Sequence, residues 1–137
     1  MSHVALVVPN ASETVAAYAT AFGASAIPAL RQTSAEGTFY RGESTLATAL
    51  WAELPMRAGF GLRIYQPVDR QRSWWFDGLQ RFGPSIHLLS FAVREVNATL
   101  QLLALHGYEV LQRGPCYAYV DSLATLGLVL EVSECVP

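Results

Sequence analysis

The apolar pattern of this chain changes period twice, in the same order each time. His3-Val-Ala-Leu-Val-Val is a short β-rich run, and the segment after it places Val15, Tyr18, Ala19 and Phe22 at three- and four-residue spacing before stopping at Gly23. His87-Leu-Leu-Ser-Phe-Ala-Val then repeats the strand, Leu100, Leu103 and Ala104 or Leu105 repeat the helical face, and Gly107 repeats the stop. Asn10 or Ser12 is a fitting cap for the first helix, and Glu95 or Asn97 for the second. A histidine opens each copy, and the histidine-to-glycine interval is 20 residues in both.

Short alternating runs separated by turn residues follow each helix, as in a three-strand meander. They are 38–41, 45–51 and 60–66 in the first half, and 109–112, 117–121 and 127–132 in the second. Gly59-Phe60-Gly61-Leu62-Arg63-Ile64 then registers with Gly127-Leu128-Val129-Leu130-Glu131-Val132. The pattern predicts an α+β domain of two βαβββ modules, about 1–68 and 85–137, joined by a helical linker at about 72–83. In that linker Ser73 caps a short helix with Leu79 and Phe82 on its buried side. Of the adjacent pair Trp74 and Trp75, one is expected to point away from the face that buries the other.

Composition narrows the function classes. A chain of 137 residues, 52% hydrophobic and 15% charged, buries one sizeable core rather than two. Net charge is −2, and all nine basic residues are arginines, so there is no basic stripe for nucleic acid. Without lysine, Schiff-base chemistry is excluded apart from the terminal amine. Arg57, Arg70, Arg72 and Arg81 gather near the junction of the halves, as a solvated surface or an anion-steering rim. No run reaches the ~20 apolar residues of a membrane span, and no basic-then-apolar leader opens the chain, which points to the cytoplasm and to no membrane partner. Cys116 and Cys135 have no metal-binding spacing and are expected as free thiols.

The duplicated pattern, with His3 on the first strand, His87 on the fifth and Glu131 on the eighth, resembles the vicinal oxygen chelate superfamily, the glyoxalase, bleomycin-resistance and dioxygenase group. Leu62-Arg63-Ile64-Tyr65-Gln66-Pro67 and Gly83-Pro84-Ser85-Ile86-His87-Leu88 are most similar to methylmalonyl-CoA epimerase-like members. The resemblance implies a cup-shaped mixed β-sheet with helices outside, a small-molecule site within, and commonly a homodimer. Strand parity puts His87 on one face with Leu89 and Phe91, and Arg63 with Tyr65.

In such a cup, two imidazoles and acidic or amide oxygens hold a divalent metal (Co, Ni, Mn, Zn or Fe) that stabilises an oxyanion while a carboxylate moves a proton. The resemblance implies His3, His87 and Glu131 as ligands, with Glu131 and Arg63 as catalytic residues and Arg63, Tyr65, Phe91, Trp51 and Tyr119 against the substrate. Arg63, however, stands where the family supplies Glu or Gln. A cation ~4 Å from the ion costs about 4 kcal/mol per unit of ion charge at an effective dielectric near 20. Two arrangements stay open: a three-ligand metal site, or an Arg63–Glu131 pair that replaces the metal and grips an anionic ligand. The implied function is an isomerase, epimerase or lyase acting on an oxygen-rich carbonyl metabolite. The alternative is a metal-free protein that sequesters an aromatic or amphipathic small molecule. Glu43, in a turn before the third strand, reads as a solvated carboxylate, with an acid/base group near the mouth of the cup as the alternative. His106 aligns with Phe22 at a helix end and reads as packing or a dipole contact.

Overall fold

The computed structural model describes residues 1–56 and 59–134. Arg57 and Cys135 lie outside the described residues. In chain order the elements are β1 (His3–Val7), α1 (Ala11–Ala21), β2 (Arg31–Gln32), β3 (Phe39–Tyr40), β4 (Glu43–Ser44), β5 (Ala49–Pro55), β6 (Gly61–Pro67), α2 (Trp74–Phe82), β7 (Ser85–Val93), α3 (Val96–Leu105), β8 (Val110–Arg113), β9 (Tyr117–Val120), α4 (Leu123–Leu126) and β10 (Val129–Glu134). The strands form one curled mixed sheet in the order β2-β5-β6-β1-β7-β10-β9-β8-β3-β4. Its two halves mirror each other across the antiparallel β1–β7 pair, and the parallel pairs β1–β6 and β7–β10 flank it.

Local chemistry accounts for the helix starts. Asn10 Oδ1 accepts from the backbone N–H of Glu13, and Ser73 Oγ accepts from that of Phe76, each satisfying an orphan donor of a first turn. Glu95 caps α3 through its backbone conformation alone. Helix α1 covers the outer face of the first half, packing Ala11, Val15 and Ala19 on Ala52, Leu54, Leu62 and Ile64. Helix α3 does the same for the second half through Val96 and Leu100 against Ala118, Val120 and Val132. The inner faces of these helices are narrower than the periodicity suggests. Phe22, Ala104 and Leu105 are exposed, Leu105 at 83%.

Three expectations change. The 38–41 run becomes only the two-residue β3, and it does not join the first half's meander. With β4 it forms a hairpin that crosses to the edge of β8, while β2 takes the place beside β5. The hairpin loop, Arg41-Gly42, has both residues at positive φ (51° and 81°), the signature of a two-residue turn whose twist matches its strands.

Both tryptophans of the linker helix are buried, at 1% exposure each. Helix α2 enters the cup rather than lying on it, so sheet walls surround its first turn on more than one side. Trp74 and Trp75 join Ala5, Val7, Tyr65, Leu88, Tyr119 and Val129 in the core. Phe82, expected on the buried side of α2, is 49% exposed at its end.

Close packing of α2 makes Gly78 sensitive. A Cβ there would lie 2.7 Å from His87 Nδ1 and 3.2 Å from Trp74 Cε2. Gly78→Ala is expected to destabilise by about 1–3 kcal/mol from overpacking, despite the ~1 kcal/mol gain in helix propensity. In a His87→Ala background the same change is expected to be neutral or stabilising. Urea denaturation of the four proteins reads this reversal of sign.

Candidate active site

Cross-strand register decides which side chains meet inside the cup. His3 pairs with Ser90, Ala5 with Leu88 and Arg63, and Ser90 with Glu131. Directly opposed residues share a face, so His3, Arg63, Leu88, Ser90 and Glu131 all point inward. Arg63 is thereby equivalent to Glu131, and His3 is equivalent to Leu88 rather than to His87. The two histidines of the sequence repeat are one residue out of structural register.

Glu131 and His3 are buried together, with His3 Nε2 donating to Glu131 Oε2 at 3.2 Å. A carboxylate only accepts, so in this contact the proton is carried by Nε2, while Nδ1 lies 3.3 Å from the Ser2 hydroxyl. The Ser90 hydroxyl between them is fully buried and has no partner among the described residues. The Arg63–Glu131 pair, one of the two arrangements left open by the sequence, does not form among the hydrogen bonds and ion pairs of the described residues. Arg63 instead donates to its cross-strand neighbour Glu53 at 2.8 Å and to the Tyr65 hydroxyl at 3.3 Å, and it lies over the Trp51 ring at 4.7 Å. Burial works against the Arg63 charge, but Tyr65 and Glu53 more than offset it, and the guanidinium stays cationic.

His87 belongs to another part of the molecule. The register slips between Ala5 and Leu6, so that His87 is the extra residue of a bulge; it is buried on the α2 side. Its Nε2 donates to Gly83 O at 3.0 Å, with the Ser85 hydroxyl equally near, and its ring meets Trp74 and Phe82 edge-on. Three residues of strand, ~10 Å, separate it from the partner of His3. Phe91 is 37% exposed and falls on the opposite face from Ser90, outside the cavity described below.

Burial pushes the His87 imidazole below its ordinary value of 6.5, and the Gly83 carbonyl opposes this only in part. The unfolded chain therefore takes up a proton at a higher pH than the folded one, and stability falls as pH drops below about 6.5. His87→Gln is expected to flatten that acid slope in thermal melts between pH 5 and 8.

The metal of the family does not fit this donor set. Among the described residues, the inward ring offers His3, Arg63, Leu88 and Glu131: two donors already bonded to each other, an aliphatic side chain and a guanidinium. No group of three or more His, Cys, Asp or Glu converges among the described residues. The triad His3, His87 and Glu131 is thus not assembled, because a Zn–N bond is ~2 Å and His87 is several times farther away.

What the cup keeps open is a cavity of about 260 Å³ lined by Trp51, Arg63, Tyr65, Trp75, Tyr119 and Glu131, with Tyr117, Thr33, Cys116, Ser133 and Glu134 completing the wall. Its three tyrosines share an arrangement. The hydroxyl of Tyr65 accepts from Arg63, that of Tyr117 from Gln112 Nε2 at 3.0 Å, and that of Tyr119 from Trp75 Nε1 at 3.0 Å. With each oxygen engaged by an N–H donor, each O–H proton is left to donate. Burial, with the Glu131 charge adding to it, raises all three, Tyr117 to about 12, and this keeps them protonated. Trp51, Tyr65 and Trp75 stack in sequence, at 6.3 and 6.0 Å between ring centroids.

Of the residues expected in the site, Arg63, Tyr65, Trp51, Tyr119, His3 and Glu131 come together; His87 and Phe91 do not. Glu53 and Ser90 were not anticipated. The Glu53–Arg63 pairing across neighbouring strands is visible in the sequence once 49–55 and 61–67 are placed antiparallel. Glu43 pairs with Arg72 at the surface, and Cys116 is a free, exposed thiol. No helix among the described residues is long and apolar enough to cross a membrane.

A curled mixed sheet of two mirrored halves around such a cavity defines a class, and comparison with known proteins bears this out. The chain belongs to the glyoxalase/bleomycin resistance protein/dioxygenase superfamily, whose family model matches residues 2–121. Among solved structures, a hypothetical protein from Bacillus halodurans superposes with TM-score 0.70 at 15% identity, covering 100% of this chain and 94% of that one. Methylmalonyl-CoA epimerase from Mycobacterium tuberculosis superposes with TM-score 0.65 at 17% identity over 99% and 87%. A variant of the Streptomyces coelicolor methylmalonyl-CoA epimerase, in complex with 2-nitronate-propionyl-CoA, gives 0.65 at 16% over 100% and 97%. At these identities the likeness is one of fold. No curated protein matches the sequence significantly.

Proposed function

We propose that the protein is an isomerase of the vicinal oxygen chelate type that works on a small carbonyl compound without a metal. The observation that supports this reading is the set of three tyrosine hydroxyls whose oxygens are already engaged and whose protons are free to donate into one cavity with Arg63 and Glu131. Glu131 takes a proton from the carbon next to the carbonyl. The electron pair moves onto the carbonyl oxygen, and the tyrosine O–H groups and Arg63 stabilise the oxyanion that forms. In an α-hydroxy aldehyde or ketone the hydroxyl proton then passes to that oxyanion. As the resulting enediolate collapses to a carbonyl at the former hydroxyl carbon, Glu131 returns its proton to the former carbonyl carbon on the same face, regenerating its carboxylate. His3 orients Glu131 through the 3.2 Å bond. Glu131 is the one buried carboxylate that lines the cavity among the described residues, which favours a one-base isomerisation over an epimerisation needing acceptors on both faces.

The test uses small α-hydroxy aldehydes and ketones in D2O, with chelator present and wash-in of deuterium followed by NMR. Exchange by the parent protein that Glu131→Gln abolishes supports the reading. Tight binding with no exchange sinks it in favour of sequestration, which the stacked aromatic wall would also serve. Exchange that chelator abolishes would return the metal-dependent reading. We take a homodimer in the cytoplasm as the working form, to be checked by light scattering.

A further inference from the structure

Toward the other end of β9 and β10, and sharing no lining residue with the Glu131 cavity, two adjoining chambers of about 470 and 320 Å³ have Trp74, Phe82, Leu123 and Gly127 as common walls. The larger is bordered by Arg41 and Arg81, with Asp121 as its one acidic residue. The smaller runs past Ile86, His87 and Leu128.

Three features set this place apart from an ordinary surface dimple. Arg41 holds φ at 51°, in a loop position where Asn or Gly sits with less strain, and its guanidinium lies over the Tyr40 ring at 5.3 Å. Arg81 lies over the Phe82 ring at 5.0 Å, so both cations rest on aromatic faces. Neither has a carboxylate within ion-pair distance among the described residues. Nearby Asp77 is engaged by the Tyr40 hydroxyl at 2.6 Å. Third, the Trp74 indole N–H is buried without a partner among the described residues, on the wall both chambers share. A buried unpaired donor is costly unless a ligand or water meets it.

We propose that these chambers form a second ligand site, distinct from the Glu131 cavity, that takes an aromatic monocarboxylate. Two guanidiniums and one carboxylate, Asp121, border the larger chamber, while the Asp77 carboxylate is turned to the Tyr40 hydroxyl, and this balance suits a single anionic group better than a dianion. The carboxylate lies between Arg41 and Arg81, and the ring lies against Trp74, Phe82 and Leu123.

The experiment is isothermal calorimetry with 1-naphthoate, its neutral analogue 1-naphthamide, and the variants Arg41→Asn, Arg81→Gln and Arg63→Gln. One naphthoate per chain is expected, with affinity lower by roughly tenfold or more in Arg41→Asn and in Arg81→Gln, similarly weaker binding of the amide, and little change in Arg63→Gln. Arg41→Asn is expected to melt no lower than the parent, because Asn adopts the left-handed region more readily, so its loss of binding is not a folding defect. No binding at millimolar ligand would overturn the proposal. So would affinity untouched by both Arg41→Asn and Arg81→Gln, or affinity lost through Arg63→Gln instead.

Discussion

Trp75→Ala is expected to remove about 3–5 kcal/mol of unfolding free energy, a large part of the stability of a domain this size. The indole is 1% exposed, stacks on Tyr65 at 6.0 Å, meets Tyr119 edge-on at 6.2 Å and donates to the Tyr119 hydroxyl. Alanine leaves a void in the centre of the cup and strips the phenol oxygen of its donor. Two contributions are separable. Trp75→Phe retains most of the buried ring and loses only the N–H, for an expected cost of about 1–2 kcal/mol. Urea midpoints for the three proteins measure both, and equal losses in Ala and Phe would mean that the hydrogen bond, and not the packing, holds α2 in place.

Glu131→Gln is expected to lower the rate of carbon–hydrogen exchange by ~10²–10⁴-fold while leaving ligand affinity within a few-fold. Glutamine has the same shape, and its carbonyl oxygen can still accept from His3 Nε2, so the fold and the tyrosine cluster are preserved. What disappears is the only group in the reading that accepts the proton. His3→Gln is expected to fall between parent and Glu131→Gln, because Glu131 survives but loses its orientation. A loss of affinity in Glu131→Gln with the rate constant for bound ligand unchanged would assign the carboxylate to binding and sink the proton-transfer role.

The repeat in the sequence revealed the mirrored halves, since period-2 and period-3.6 patterns survive in each copy, but not the strand order of the first half, whose 38–41 run crosses to β8. It misplaced His87 because a repeat aligns identical residues, whereas the strands align through their hydrogen bonds. A one-residue offset moves a side chain to the other face, and here a bulge brought His87 back inside at a different place. Arg63 and Glu131 were correctly matched because no bulge intervenes on β6 or β10. Their pairing with one another failed for a local reason: Glu53 stands directly across from Arg63, and His3 reaches Glu131 first. Ser73 and Asn10 were legible as caps because capping is a local contact. The burial of both Trp74 and Trp75 was not, because it depends on where the whole helix lies.

The β3–β4 hairpin has a consequence for how the chain comes to be folded. Phe39 and Tyr40 find their strand partners at Arg113 and Gln112, some 70 residues later. During synthesis at ~5–20 residues per second, that edge does not exist until roughly 4–15 s after the hairpin leaves the ribosome. Tyr40, which ends almost fully buried, waits in solvent through that interval. The halves look interchangeable as a repeat, yet neither completes its own sheet alone. A release of the nascent chain before β8 would leave an unpaired hairpin and an open sheet edge, both able to recruit a neighbouring molecule.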